Sequence, residues 1–202
     1  MSEDEEDTAE LAAWRAGDRG AGTRLFRRHF ARVHRFFVNK TPAVADDLTQ
    51  RTFLACVERP SPIRVGFRPY LFGVAYNVLL MYLRTQGRWS DRFELGEVSV
   101  EAMLDSPSVQ VAGRERAGVL LASLRQLPCD LQTTVELYYW EELSIEQIAA
   151  ALSVPPGTVK SRLARARDVL RRRLGEAGIA DDEIEQWTRE LRERVSPPAD
   201  PA

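Results

Sequence analysis

The chain has 202 residues, with 28 Lys and Arg against 30 Asp and Glu, a formal net charge of −2, and 44% hydrophobic residues. This composition indicates a globular protein of one or two domains and excludes a disordered chain. Two cysteines, Cys56 and Cys129, are too few for a disulfide framework or a zinc site, so we expect two buried thiols and no metal. The acidic N-terminus and the lack of a long apolar stretch predict a soluble cytoplasmic protein without membrane insertion.

Charge is strongly segregated along the chain. Residues 3–10 hold six acids and no base, whereas residues 15–40 hold eight bases and one acid. Residues 144–174 are basic again, and residues 176–202 are acidic. Basic blocks on helices are candidate phosphate-binding faces, although a charge run is often only a solvated surface.

Apolar positions recur at spacings of three and four in the N-terminal half, which predicts helices rather than strands. A first helix ends at Gly17, an aromatic-rich second helix ends before Pro42, and Pro69 fits the first turn of the fourth. The predicted helices span about 7–16, 21–40, 46–58 and 69–84.

The C-terminal half begins with a stretch, 96–113, that has acids, Ser and Pro but no amphipathic stripe, and we interpret it as a flexible linker. Helices are predicted beyond it at about 114–126, 130–141, 144–151 and 156–174, with Ser144 as an N-cap. A further helix at about 181–195 precedes a Pro-rich end, and its apolar stripe either docks on a surface or extends the neighbouring core.

The segment LSIEQIAAALSVPPGTVKSRLARAR at 143–167 predicts a helix-turn-helix. Ser153 and Val154 form the turn, and the second helix starts near Pro156. Its inward stripe has spacings of four, three and four, and consists of Val159, Leu163, Ala166 and Leu170.

The opposite face of that second helix has the composition of a helix that enters the major groove. Short polar residues permit close approach, and Arg or Lys reach base edges and phosphates. The residues on and beside this face are Thr158, Lys160, Ser161, Ala164, Arg165, Arg167 and Asp168. The alternative is a basic amphipathic hairpin with no role on DNA.

Together with three other strings, this segment resembles the extracytoplasmic-function (ECF) RNA polymerase sigma factors over about residues 8–174. The other strings are DDLTQRTF at 46–53, YLFGVAYNVLLMYLR at 70–84 and LRQLP at 124–128. The resemblance implies an all-α protein of two small domains, sigma region 2 and a helix-turn-helix sigma region 4. The expected boundaries are 8–95 for region 2, 96–113 for the linker, 114–175 for region 4 and 176–202 for an acidic C-terminal helix and tail.

The resemblance also implies partners and residue roles. A sigma factor binds core RNA polymerase, directs it to promoter DNA, is often held by an anti-sigma factor, and has no cofactor or enzymatic activity. The residues implied for the minus-35 element are Lys160, Ser161 and Arg165, and the helix geometry adds Thr158 and Arg167 beside them. Those implied for the minus-10 element are Phe72 and Asn77, and those for core polymerase are Asp47 and Gln50, beside which we place Arg51. Because a melted strand needs stacking and positive charge, we add Arg84, Arg88 and Trp89 to the minus-10 set.

Some of these positions have a simpler interpretation or depart from the family pattern. Asn77 could be a core amide, Trp89 a packing residue, and Asp47 and Gln50 solvated helix positions. Arg51 stands where relatives usually have Glu, Gly73 stands where they often have a base, and the loop SPIRVG is shorter than theirs. Two other functions therefore stay open, a polymerase-independent helix-turn-helix regulator and an adaptor that has lost promoter opening. We expect His29 and His34 on a helix face near phosphate or solvent.

Overall fold

The computed structural model describes residues 3–58, 63, 65–85 and 116–176, and within these ranges it contains helices and no strand. In chain order the helices are α1 (Glu3–Arg15), α2 (Arg19–Val38), a 3-10 turn (Pro42–Val44), α3 (Ala45–Glu58), α4 (Phe67–Thr85), α5 (Arg116–Arg125), α6 (Cys129–Tyr139), α7 (Ile145–Leu152) and α8 (Pro156–Glu176). The predicted all-α class is confirmed. The predicted linker at 96–113 and the helix at 181–195 lie outside the described residues. Within the described ranges, no helix combines the length and apolar character needed to cross a membrane.

Local sequence explains where the first two helices meet. Gly17 follows α1 with a φ of 103°, a left-handed conformation that glycine adopts without steric cost. Asp18 then caps α2, since its Oδ1 accepts hydrogen bonds from the backbone N–H groups of Gly20 (2.8 Å) and Ala21 (3.2 Å). Such a cap satisfies donors that the first helical turn leaves without partners.

Helices α1–α4 pack together, and we call them the N-terminal unit. Its core contains large buried aromatic side chains, including Phe36, Phe37, Phe67 and Phe72. Arg15 at the end of α1 ties three helices together, because its Nη2 donates to the carbonyl of Cys56 on α3 and to the hydroxyl of Tyr70 on α4, both at 2.8 Å.

Helices α5–α8 form the C-terminal unit, in which α8 packs across α5, α6 and α7. The long α8 buries the predicted stripe fully, since Val159, Leu163, Ala166 and Leu170 are each at most 3% exposed. This part of the prediction is confirmed.

The two units are in contact, and their buried apolar side chains form one continuous cluster. The closest approach is between α4 and the end of α7. A Cβ atom added at Gly73 would lie 2.8 Å from the carbonyl oxygen of Ala151. Only glycine at position 73 therefore allows this backbone approach.

The two cysteines are buried as predicted, but the prediction for His29 is wrong. Its ring is fully buried, and its Nε2 lies 2.6 Å from the Oδ2 of buried Asp7 on α1. His34 lies nearer the surface, with its Nε2 3.0 Å from Asp46. The sequence placed His29 on the basic face of α2, but α1 covers that part of the face with its acidic side chains.

Candidate nucleic-acid interface

The helix-turn-helix is built from strong local signals. Ser144 caps α7 in a reciprocal box: its Oγ accepts from the N–H of Gln147 (3.2 Å), and the Gln147 side chain accepts from the N–H of Ser144 (2.9 Å). Ser153 then ends α7 in the left-handed region, with a φ of 55°. The chain turns there, and α8 begins at Pro156, where a missing N–H has no cost.

The outward face of α8 carries the predicted minus-35 residues. Lys160, Ser161 and Arg165 are exposed, while Thr158 is half-buried and accepts a 2.9 Å hydrogen bond from Ser161 through its carbonyl. Exposed cations beside short side chains let a helix enter the major groove and reach both base edges and phosphates. Arg167 is half-buried and its Nε donates to the hydroxyl of Tyr139 (3.2 Å), so within this arrangement it anchors α8 to α6.

The predicted minus-10 residues are divided between surface and core. Asn77 and Arg84 are exposed on α4, so Asn77 is not the buried core amide that one interpretation required. Met81 lies on the same face one turn after Asn77 and is 54% exposed. Phe72 is only 1% exposed and packs edge-on against Phe36, with ring centroids 6.0 Å apart. Arg88 and Trp89 lie outside the described residues.

A cleft of about 350 Å³ lies beside the close approach of Gly73 and Ala151, between the exposed face of α4 and the end of α7. Tyr70, Gly73 and Asn77 line one wall, and Ala151 and Ser153 line the other. The end of α7 therefore lies over Asn77, whereas Phe72 and Arg84 do not line this cleft.

The predicted polymerase-binding residues share one exposed surface of α3. Asp47, Gln50 and Arg51 are all exposed, and the Arg51 Nε lies 3.0 Å from a carboxylate oxygen of Asp47. At this exposure such a pair contributes at most about 1 kcal/mol, so a partner can displace it easily. Sequence reasoning missed Leu54, which is 54% exposed one turn further along α3 and adds an apolar contact to this surface.

The sequence also gave no indication of a buried polar network between the two units. Lys40, just after α2, forms an ion pair with Glu136 on α6, and Asn39 donates to the same carboxylate. Arg35 on α2 pairs with Glu141, which follows α6. No local signal in the sequence could have found it, because the paired residues are 96 and 106 positions apart and the burial of Glu136 is known only from the structure.

Fold and surface together define a helix-turn-helix DNA-binding protein with a second helical unit. The family model described as Sigma-70 region 2 matches residues 25–88, and the model described as Sigma-70, region 4 matches residues 117–170. Together the two matches cover more than half of the chain.

Curated relatives point to one branch of that family. The ECF RNA polymerase sigma-E factor of Haemophilus influenzae is 28% identical over 138 residues, covering 63% of this chain and 73% of the relative. The proteins of the same name from Salmonella typhimurium and Escherichia coli K12 are each 27% identical over 183 residues, covering 84% of this chain and 95% of the relative.

A solved structure shares the fold. It is the sigma factor RpoE of Bartonella quintana, crystallised with the anti-sigma factor NepR, with a TM-score of 0.57 and 21% identity over 76% of this chain and 96% of that one. The chain belongs to the sigma-70 family as an extracytoplasmic-function RNA polymerase sigma factor, and it acts in transcription initiation.

Proposed function

We propose that this sigma factor binds core RNA polymerase through the exposed surface of α3 and reads its promoter with two separate helices. Recognition helix α8 would contact the minus-35 element through Lys160, Ser161 and Arg165. Helix α4 would contact the minus-10 element through Asn77 and Arg84. The single observation that carries this proposal is the two-sided character of α8. Lys160, Ser161 and Arg165 are exposed on one face, while the apolar stripe on the opposite face is buried.

The mechanism requires binding and positioning only. Phosphate contacts to basic side chains fix the register of α8 on the duplex, and contacts to base edges provide sequence preference. Promoter opening needs a pocket for an extruded base and groups that hold the single strand. Asn77 at the edge of the cleft supplies an amide with both a donor and an acceptor for such a base. The chain contributes no enzymatic chemistry, and it would work in the cytoplasm with polymerase.

Transcription with purified core polymerase tests the proposal. We expect the chain to co-purify with core polymerase and to support run-off transcripts from a fragment upstream of its own gene. Lys160→Ala should weaken binding to that promoter by about 1–3 kcal/mol, as expected for a lost base or phosphate contact. Arg172→Ala is a matched control, because it removes an equal charge from an exposed position further along α8.

The polymerase-binding surface is tested separately. Asp47→Ala and Leu54→Ala should each reduce the amount of polymerase that co-purifies, while leaving DNA binding by the free protein unchanged. Binding to DNA without any association with polymerase would instead indicate an independent helix-turn-helix regulator. An anti-sigma partner is also expected, as for the Bartonella relative that was crystallised with one.

A further inference from the structure

Among the described residues, Leu54, Val65 and Met81 are the large apolar side chains that are exposed. Leu54 belongs to the proposed polymerase-binding surface of α3, and Val65 lines the cleft beside α4. Met81 on α4 is 54% exposed and has no role in either place. A single exposed apolar residue is ordinary, so any role for Met81 has to be argued from its neighbours.

Met81 stands in line with the two residues of α4 that are proposed to contact the minus-10 element. Asn77 precedes it by four residues and Arg84 follows it by three, which places all three on one exposed face of the helix. At a rise of about 1.5 Å per residue, Asn77 lies about 6 Å before Met81 along the helix axis, and Arg84 lies about 4.5 Å after it. A DNA strand that contacts both flanking residues therefore passes directly over Met81.

The opposite face of α4 holds Met81 in a fixed position. Ala75, Leu79 and Leu83 are each 0% exposed and belong to the apolar core. The C-terminal unit makes its closest approach at Gly73, about two helical turns before Met81, and leaves Met81 accessible. A side chain that parts stacked bases needs such a rigid support, because a mobile helix would move away instead.

The size of a methionine side chain matches the gap that an extruded base leaves behind. Stacked bases are about 3.4 Å apart along a strand, so the two neighbours of an extruded base are separated by about 6.8 Å. Carbon atoms make van der Waals contact at about 3.5–4.0 Å, so a thioether chain is about as thick as one base. Methionine is among the apolar residues that insert between base steps in proteins that kink DNA.

The charge of this part of α4 favours an apolar contact with DNA. Between Val74 and Thr85 the sequence has a single charged residue, Arg84. Half-buried Val78 and Leu80 flank Met81. A surface with one cation gains little from neutralising phosphates, so most of its affinity for an unpaired strand has to come from contacts with the bases themselves.

We propose that Met81 is a strand-separating residue, whose side chain enters the gap left by the base that Asn77 holds and keeps the neighbouring bases unstacked. The partner of Met81 is thus a nucleobase of the unpaired promoter strand, and Arg84 would contact the phosphate beside it. The inference rests on the proposed function. It adds a residue that acts in opening the promoter rather than in reading its sequence.

Promoter opening by the complete polymerase complex tests the role of Met81. Core polymerase with each full-length variant is placed on the fragment upstream of the chain's own gene, and the permanganate reactivity of unpaired thymines maps and measures the opened stretch. A second template carries mismatches across the mapped stretch, so that it is open beforehand. The variants are Met81→Ala, Met81→Leu and Met81→Lys, and Thr85→Ala is the matched control at an exposed position one turn further along α4.

Met81→Ala should open the duplex fragment about tenfold less than the wild-type protein, because its short side chain leaves the gap empty. On the mismatched template the two proteins should be equal, since no stack has to be parted there. Met81→Leu keeps the apolar bulk and should retain most of the opening. Met81→Lys should be as defective as Met81→Ala, because placing an ammonium group between bases is costly. Thr85→Ala should match the wild-type protein on both templates.

These variants should all fold, because Met81 is 54% exposed, and circular dichroism and co-purification with polymerase verify this. Three results would overturn the inference. They are normal opening of the duplex by Met81→Ala, an equal defect of Met81→Ala on both templates, and normal opening by Met81→Lys, which would assign this face to phosphate binding. If the wild-type protein itself opens no promoter, the proposed function fails and the inference fails with it. If the wild-type protein opens the fragment and one of the three results appears, the inference alone is rejected.

Discussion

The energy of the contact between the units can be measured at Lys40. In the Lys40→Met variant, the Glu136 carboxylate stays buried at 2% exposure without its cation. Removing one partner of a buried ion pair costs about 3–5 kcal/mol. Gln132 still donates to Glu136 at 3.1 Å, as does Asn39, so we expect the lower end of this range, about 3 kcal/mol. This corresponds to a decrease in Tm of about 6–12 °C for a chain of this size.

Urea unfolding followed by circular dichroism measures the loss. Arg24→Met is the matched control, because Arg24 forms a 2.7 Å ion pair with Glu10 but is 56% exposed, and such pairs contribute about 0–1 kcal/mol. Adding Glu136→Gln to Lys40→Met should recover about 1–2 kcal/mol, since it removes the buried charge and keeps a carbonyl for the neighbouring amides.

The reasoning is refuted if Lys40→Met costs no more than Arg24→Met. That result would mean that Lys40 and Glu136 are both solvated in the free protein, so that the two units do not pack as described. A cost of about 3 kcal/mol without recovery in the double variant would instead attribute the loss to packing of the Lys40 side chain against Phe36.

Three smaller predictions concern pH, thiol reactivity and helix capping. Burial lowers the pKa of His29 below 6.5, against the opposing attraction of its neighbouring carboxylate, so the unfolded chain takes up this proton first as the pH falls. The contribution of His29 to the free energy of unfolding should therefore be fully present above about pH 6.5 and should be lost as the pH falls below that value. His29→Gln should remove this part of the pH dependence in urea titrations, and an unchanged pH profile would contradict the prediction. Burial raises the pKa of both Cys56 and Cys129 to about 12, so neither thiol should react with a disulfide reagent at about pH 8 until denaturant is added, and rapid labelling of the native protein would show an open core. Ser144→Ala removes the cap that accepts from the N–H of Gln147 and should cost about 1 kcal/mol in urea unfolding, whereas Ser144→Asp, which keeps an acceptor, should cost much less.

Hydrophobic spacing, together with Gly, Pro and capping residues, was enough to predict the α-helices of the described residues and their approximate limits, except that α1 begins at Glu3, four residues before its predicted start. Helix α8, predicted at about 156–174 and observed at Pro156–Glu176, illustrates why. Its stripe repeats at three and four, and a helix with such a stripe must bury it to be stable. The N-cap at Ser144 was predictable for a similar reason, because a capping box involves residues only three positions apart. The exposed face of α8 followed directly, since the buried stripe fixes which residues point outward.

The tertiary structure decided everything that depends on residues far apart in the chain. Glu136 and Lys40 are 96 positions apart, and Arg35 and Glu141 are 106 apart. No local pattern specifies such pairs, since a charge on a helix face is usually solvated. His29 shows the same limit, because only the docking of α1 turns a basic helix face into a buried site. Amphipathic spacing is a property of one helix, whereas the choice of partner for a charge depends on how all the helices pack. The same packing placed the end of α7 over Asn77.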